Sequence, residues 1–174
     1  MSRRGTSAWR HMLGLTLLEL LVTIALVGVL ASLAVPSFGE QLARIHLKAA
    51  AERMAADMAE ARFDAGRQAM TMHMRFETGA PWCYAVSAAP TCPCGSPSAC
   101  QSRRALGSDH PGIRLDRAED LRFDPSNGSI ATPMRVTLRT ARGDALNVEL
   151  TRLGRAKICA PESKTLGYPS CAAL

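Results

Sequence analysis

Residues Leu15 to Val35 read LTLLELLVTIALVGVLASLAV, twenty-one residues with a single charge, Glu19. In hydrocarbon such a stretch satisfies its backbone groups only as a helix, and about 20 helical residues cross a bilayer. The chain is therefore expected to be tethered near its N-terminus. Arg3, Arg4 and Arg10 precede the run with no acid among them, which holds that flank on the cytoplasmic side and sends the remainder across the membrane. Glu19 is the anomaly, because a carboxylate at that depth costs several kcal/mol unless it finds a partner.

Three treatments of the run differ in what becomes of Glu19. A plain anchor leaves it without a partner. A secretory signal peptide cut at Ser32-Leu33-Ala34, before Val35, discards it, but such signals have apolar cores of about 7–15 residues, shorter than this one. Cleavage after Gly14 instead frees the amine of Leu15, four residues before Glu19. In low dielectric the amine and the carboxylate pair, within one helix or between staggered helices of neighbouring copies, and packing the helices neutralises both charges. Residues 1–14 are then a leader, and losing its three arginines lowers the formal net charge from +6 to +3.

Past Pro36 a helical period resumes. Leu47, Ala51, Met54, Met58, Ala61, Ala65 and Ala69 recur at steps of three and four, while Arg44, Lys48, Glu52, Arg53, Glu60 and Arg67 fall largely off that face. One helix is expected from about Thr16 to about Ala69, near 80 Å at about 1.5 Å per residue. Residues 15–36 form its membrane or filament-core half and 37–69 its amphipathic half. Pro36 removes a helix hydrogen bond and bends the axis.

Residues 70–174 read as a β-rich head. Met70, Met72, Met74 and Phe76 alternate with polar residues, and Trp82 to Val86 forms a second strand. PTCPCGSPSACQSRR reads as an irregular loop. Ile113–Leu115 and Leu121–Phe123 are short strands, and Asp124 to Gly128 is turn chemistry. Met134–Thr140 and Leu146–Thr151 flank Arg142-Gly143-Asp144 as a hairpin, with Arg135, Arg139 and Glu149 on a solvated face.

All six cysteines (Cys83, Cys92, Cys94, Cys100, Cys159 and Cys171) follow the apolar run. In an exported head an even count favours disulfides. Cys92 and Cys94 are too close to bond each other comfortably, so each reaches a different partner. A pair within the 83–100 cluster is expected, and Cys159 with Cys171 would tie down the tail. Zinc on Cys92, Cys94, Cys100 and His110 competes, but C-x-C lacks the usual C-x₂₋₄-C spacing.

The segment Gly14-Leu15-Thr16-Leu17-Leu18-Glu19-Leu20 resembles the signal of type IV prepilins and type II secretion pseudopilins, with Leu15 where phenylalanine is usual. Trp82-Cys83-Tyr84 with Cys92-Pro93-Cys94, Leu121 to Pro125 with Gly128, and Gly154-Arg155-Ala156-Lys157-Ile158-Cys159 resemble the GspH/FimT family of minor pilins and pseudopilins. Lys157 stands there for a second arginine. The resemblance implies an α+β pilin-like fold, a long N-terminal helix whose C-terminal half is wrapped by an antiparallel β-sheet head. It implies cleavage between Gly14 and Leu15 by prepilin peptidase, methylation of Leu15, docking through Glu19, and an inner-membrane stage with the head in the periplasm before entry into a filament. Other pilins or pseudopilins would be the partners, with no cofactor. Such subunits prime assembly at or near a filament tip.

Some members of this branch bind DNA in natural transformation through a basic C-terminal surface. From Ser129 to Leu174 there are seven basic residues (Arg135, Arg139, Arg142, Arg152, Arg155, Lys157, Lys164) against three acids. The candidate contacts are Arg152, Arg155, Lys157 and Lys164. Only Tyr168 offers an aromatic nearby, a poor basis for stacking single strands. An enzyme is not expected. Ser108-Asp109-His110 has the residue types of a hydrolase triad, but a triad is assembled from distant positions.

Overall fold

The computed structural model describes residues 16–161 and 167–171, with the side chains of 33–37 outside the description. A single helix, α1 (Leu17–Gln68), precedes eight strands among the described residues. The chain divides into two compact units that part between Gly39 and Glu40.

In the first unit α1 starts at a Thr-x-x-Glu sequence. Thr16 accepts the Glu19 backbone N–H on its hydroxyl at 3.2 Å, the pattern of a helix N-cap with glutamate at N3. The following turns expose their apolar side chains, Leu17 at 78% and Ile24 at 61%. Among the described residues no helix is long and apolar enough to cross a membrane. The stretch whose side chains are described ends at Ser32, short of the about 20 residues a bilayer takes.

In the second unit α1 buries the expected stripe. Leu47, Ala51, Met54, Met58, Ala61 and Ala65 are fully covered. Ala69 is not part of it: it is exposed, with φ of 50°. The Met70 N–H bonds the Ala65 carbonyl at 3.2 Å, the closing bond of a Schellman cap with alanine where glycine is usual.

The head is two four-stranded antiparallel sheets, not the one sheet expected. The first, in the order β3-β2-β1-β5, holds β1 (Met72–Glu77), β2 (Cys83–Ser87), β3 (Gln101–Leu106) and β5 (Leu121–Phe123). The second, β4-β6-β7-β8, holds β4 (Ile113–Arg117), β6 (Met134–Thr140), β7 (Ala145–Leu150) and β8 (Ala156–Cys159). One apolar core joins the α1 stripe to Trp82, Tyr84, Phe123, Leu138 and Leu146, so both sheets close on the helix.

Strand β3 occupies the end of the stretch expected to be loop, because Arg103 and Arg104 pair in register with Val86 and Ala85. Strand β2 is buried throughout. Tyr84 and Val86 enter the main core, while Cys83 and Ala85 form a second cluster with Cys94 and Leu106. The cysteine-rich loop thus covers the outer side of the sheet.

Candidate functional site

The surface with most chemistry in the second unit is the seam between α1 and the head. Asp57 lies on the covered side of the helix, three positions after Met54, and accepts the Tyr84 hydroxyl at 2.7 Å and the Arg53 Nε–H at 3.3 Å. Burial and the facing carboxylate push the Tyr84 hydroxyl well above the ordinary tyrosine range. One turn pair further on, Arg103 of β3 bridges Asp64 at 3.0 Å and Glu60 at 2.6 Å, and Arg67 reaches Asp64 at 3.2 Å. Burial works against the Asp64 carboxylate, yet Arg103 and Arg67 hold its carboxyl below the usual range. Sequence reading missed these links because each half is polar and its partner lies far along the chain.

The end of the seam is built on Arg62. Turn residues Gly128 and Gly154 both have φ of 69°. A β-carbon on Gly128 would stand 2.6 Å from Arg62 Cγ, and one on Gly154 would stand 2.9 Å from Arg62 Cδ. The Ile130 N–H bonds the Arg152 carbonyl at 2.9 Å, which ties the two turns together. Gly128 and Gly154 belong to two of the three head motifs singled out in the sequence, and here they meet.

The candidate processing residues Gly14 and Leu15 lie outside the described residues, as does Lys164. Glu19 is exposed on the first turn of α1, and the helix runs on through Pro36. The six cysteines form Cys83–Cys94, Cys92–Cys100 and Cys159–Cys171, with Cα separations of 5.7, 5.9 and 4.9 Å. The zinc set of Cys92, Cys94, Cys100 and His110 therefore has its three sulfurs in S–S bonds, and His110 stacks on Trp82 at 6.0 Å. Ser108 and Asp109 share a 3₁₀ turn, and Asp109 accepts the Leu106 backbone N–H at 3.4 Å.

The basic residues of the C-terminal part separate into two groups. Arg135 pairs with Glu149 at 2.7 Å, Arg139 with Asp116 at 2.9 Å, and Arg142 with Glu40 at 3.3 Å. Glu149 is buried at 1% exposure, not solvated as the alternation suggested: Arg135 stands directly across from it in the β6–β7 register, and its carboxylate lies within 4.8 Å of the Cys159 and Cys171 sulfurs. Arg152, Arg155 and Lys157 are exposed and ion-paired to no carboxylate among the described residues.

A family model described as "Type II transport protein GspH" matches residues 50–154, and one described as "Prokaryotic N-terminal methylation motif" matches residues 9–35. No curated protein sequence matches the chain. Two crystal forms of the type IV minor pilin FimU of Pseudomonas aeruginosa (strain PAO1) are similar in structure. One has a TM-score of 0.51 and 18% identity, covering 67% of this chain and 98% of that one. The other has a TM-score of 0.52 and 19% identity, covering 69% and 96%. At these identities the likeness speaks for the fold, a long N-terminal helix followed by antiparallel sheets.

Proposed function

Since the chain belongs to the GspH family of minor pilins and pseudopilins, we propose that it is a low-abundance subunit of a type IV pilus or a type II secretion filament, which enters or primes that filament. The observation that carries the proposal is the succession of two signals on one chain. The methylation motif at residues 9–35 covers Gly14, Leu15 and Glu19, and the family match at 50–154 runs from the buried stripe of α1 to Gly154. In this reading prepilin peptidase cuts after Gly14 in the inner membrane and methylates the Leu15 amine. The run from Leu15 to Val35 holds the subunit in the bilayer with the head in the periplasm. Glu19 then meets the Leu15 amine of an adjoining subunit, and Pro36 lets the helix bend. The sheets and three disulfides give a head that contacts other minor subunits. The chemistry is assembly and needs no cofactor. Mass spectrometry of the mature N-terminus tests it: a chain starting at methylated Leu15 is expected, and a start at Val35 would overturn it.

A second reading, DNA binding in uptake for transformation, is favoured by one observation. Arg152, Arg155 and Lys157 stand exposed with no carboxylate partner among the described residues, while their basic neighbours are neutralised. Cations so placed gather phosphates, and binding through them weakens steeply with salt. A mobility shift with the mature chain, lost after Arg155→Glu and Lys157→Glu and on raising the salt, is the expected result. No shift at low salt would remove this reading.

A further inference from the structure

Phe63 is out of place for a packed helix. It lies one residue beyond Arg62, on the half of α1 that closes the core, yet it is 67% exposed. Its ring borders an open recess of about 420 Å³ lined by Arg62, Phe63, Gly66, Arg67 and Asn127. Gly66 keeps the recess clear, since a β-carbon there would meet nothing within 4 Å. The Arg67 guanidinium stands 5.9 Å from the ring centroid. Asn127 spends its side-chain oxygen on the Ser129 N–H at 2.8 Å. Its Nδ2 has no acceptor among the described residues. Arg62 carries the Gly128 and Gly154 turns, so Arg152 and Arg155, which flank Gly154, belong to the same end of the head.

We propose that this recess is a nucleobase site: the Phe63 ring stacks a base of a single-stranded nucleic acid whose phosphates run over the Arg152 and Arg155 turn. The inference rests on the DNA-binding reading and narrows it to strands with unpaired bases. An exposed ring beside cations is what a single strand uses, because every base has a π-face and stacking tolerates sequence. A duplex keeps its bases stacked inside and offers the ring nothing. Asn127 lines the recess, and its amide Nδ2 is a donor suited to the acceptor edge that every base carries. The sequence offered only Tyr168 as an aromatic in the basic stretch. The fold supplies Phe63 from a different element.

The test is fluorescence anisotropy of the full mature chain in detergent, titrated into labelled oligothymidylate and into a duplex of equal length. Phe63→Ala is expected to weaken the single strand about tenfold and leave the duplex unchanged. Phe63→Trp keeps affinity, and Arg155→Glu weakens both while flattening the salt dependence. If Phe63→Ala leaves single-strand binding intact while Arg155→Glu removes it, the base site is wrong and the DNA reading stands. If neither nucleic acid binds at low salt, both are wrong. If an oligoglutamate peptide displaces the single strand from the parent chain and binds Phe63→Ala about tenfold more weakly, the recess serves an acidic polypeptide and the proposal is overturned.

Discussion

Gly154 is seated on Arg62, with no room between the turn and the helix for a single methyl group. A β-carbon there would come within 2.9 Å of Arg62 Cδ and would collide with the Gly128 carbonyl oxygen, which is backbone and does not step aside. The positive φ of 69° compounds the cost. Gly154→Ala should lose at least about 2 kcal/mol, from a left-handed residue plus a steric clash. Gly112→Ala is the control. Its φ of 78° is similar but it faces open space, so about 1 kcal/mol is expected. Urea unfolding of the two variants checks the difference. Equal losses would mean that the Arg62 seat contributes nothing.

The Tyr84–Asp57 bond carries a pH consequence. Unfolded tyrosine ionises near pH 10, whereas burial and Asp57 hold the Tyr84 proton far above that, and burial with Glu52 holds that of Tyr168 up to about 12. Above about pH 10 the unfolded chain releases these protons and the folded chain keeps them, so stability falls as pH rises. The contribution is complete below the unfolded value. Tyr84→Phe should cost about 1–3 kcal/mol at neutral pH by taking one donor from the buried Asp57 carboxylate and leaving it the longer Arg53 contact, and should flatten the alkaline decline. Thermal melts from pH 8 to pH 11 measure both, and an undiminished alkaline slope would sink the assignment.

What the sequence disclosed depended on whether a residue's partner was apolar. The α1 stripe and the β6–β7 hairpin were legible because Met54, Met58, Val136 and Leu138 bury against anything greasy, and period alone reveals them. Strand β3 was not, since its Arg103 is covered by Asp64 and Glu60 rather than by hydrocarbon. Glu149 misled for a similar reason: its place on the outward alternation is correct, and it is covered by Arg135 across the register and by the Cys159–Cys171 disulfide. Phe63 lies on α1, far in sequence from the basic C-terminal segment, and only the fold brings the two to one end of the head. The Thr16 cap is a local pattern, Thr-x-x-Glu, that the sequence displays without any tertiary partner.

The tail staple should be worth more than a local contact. Cys159–Cys171 closes a loop of sequence separation 12, for which chain entropy gives about 3 kcal/mol. The tail it fixes lies against α1 through the Tyr168 hydroxyl on Glu52. Cys159→Ser with Cys171→Ser should therefore lower stability by about 3 kcal/mol and expose the segment after Ala160 to protease. The Cys83–Cys94 and Cys92–Cys100 loops overlap in sequence. Removing both should cost more than the sum of the two single removals, because in each single variant the remaining bridge still restrains part of the lost loop. Denaturation of the three double-serine variants and the combined variant tests this, and strict additivity would contradict the overlap.

Glu19 can act in two ways, and one substitution separates them. As the N3 residue of α1 it supports the Thr16 cap, whose hydroxyl accepts its backbone N–H. As a charge it neutralises a Leu15 amine. Glutamine serves at N3 nearly as well as glutamate but carries no charge. Glu19→Gln should leave helix content unchanged and reduce entry into filaments by about tenfold or more, since an amine left unpaired in low dielectric loses its compensation. Thr16→Val should do the reverse, fraying the first turn by about 1 kcal/mol while leaving the charge pair available. Circular dichroism of the mature chains follows the helix, and immunoblots of sheared filaments follow assembly. If Glu19→Gln assembled at the parent level, the Glu19 charge would play no part in assembly, and the run from Leu15 to Val35 would pack without any pairing of charges.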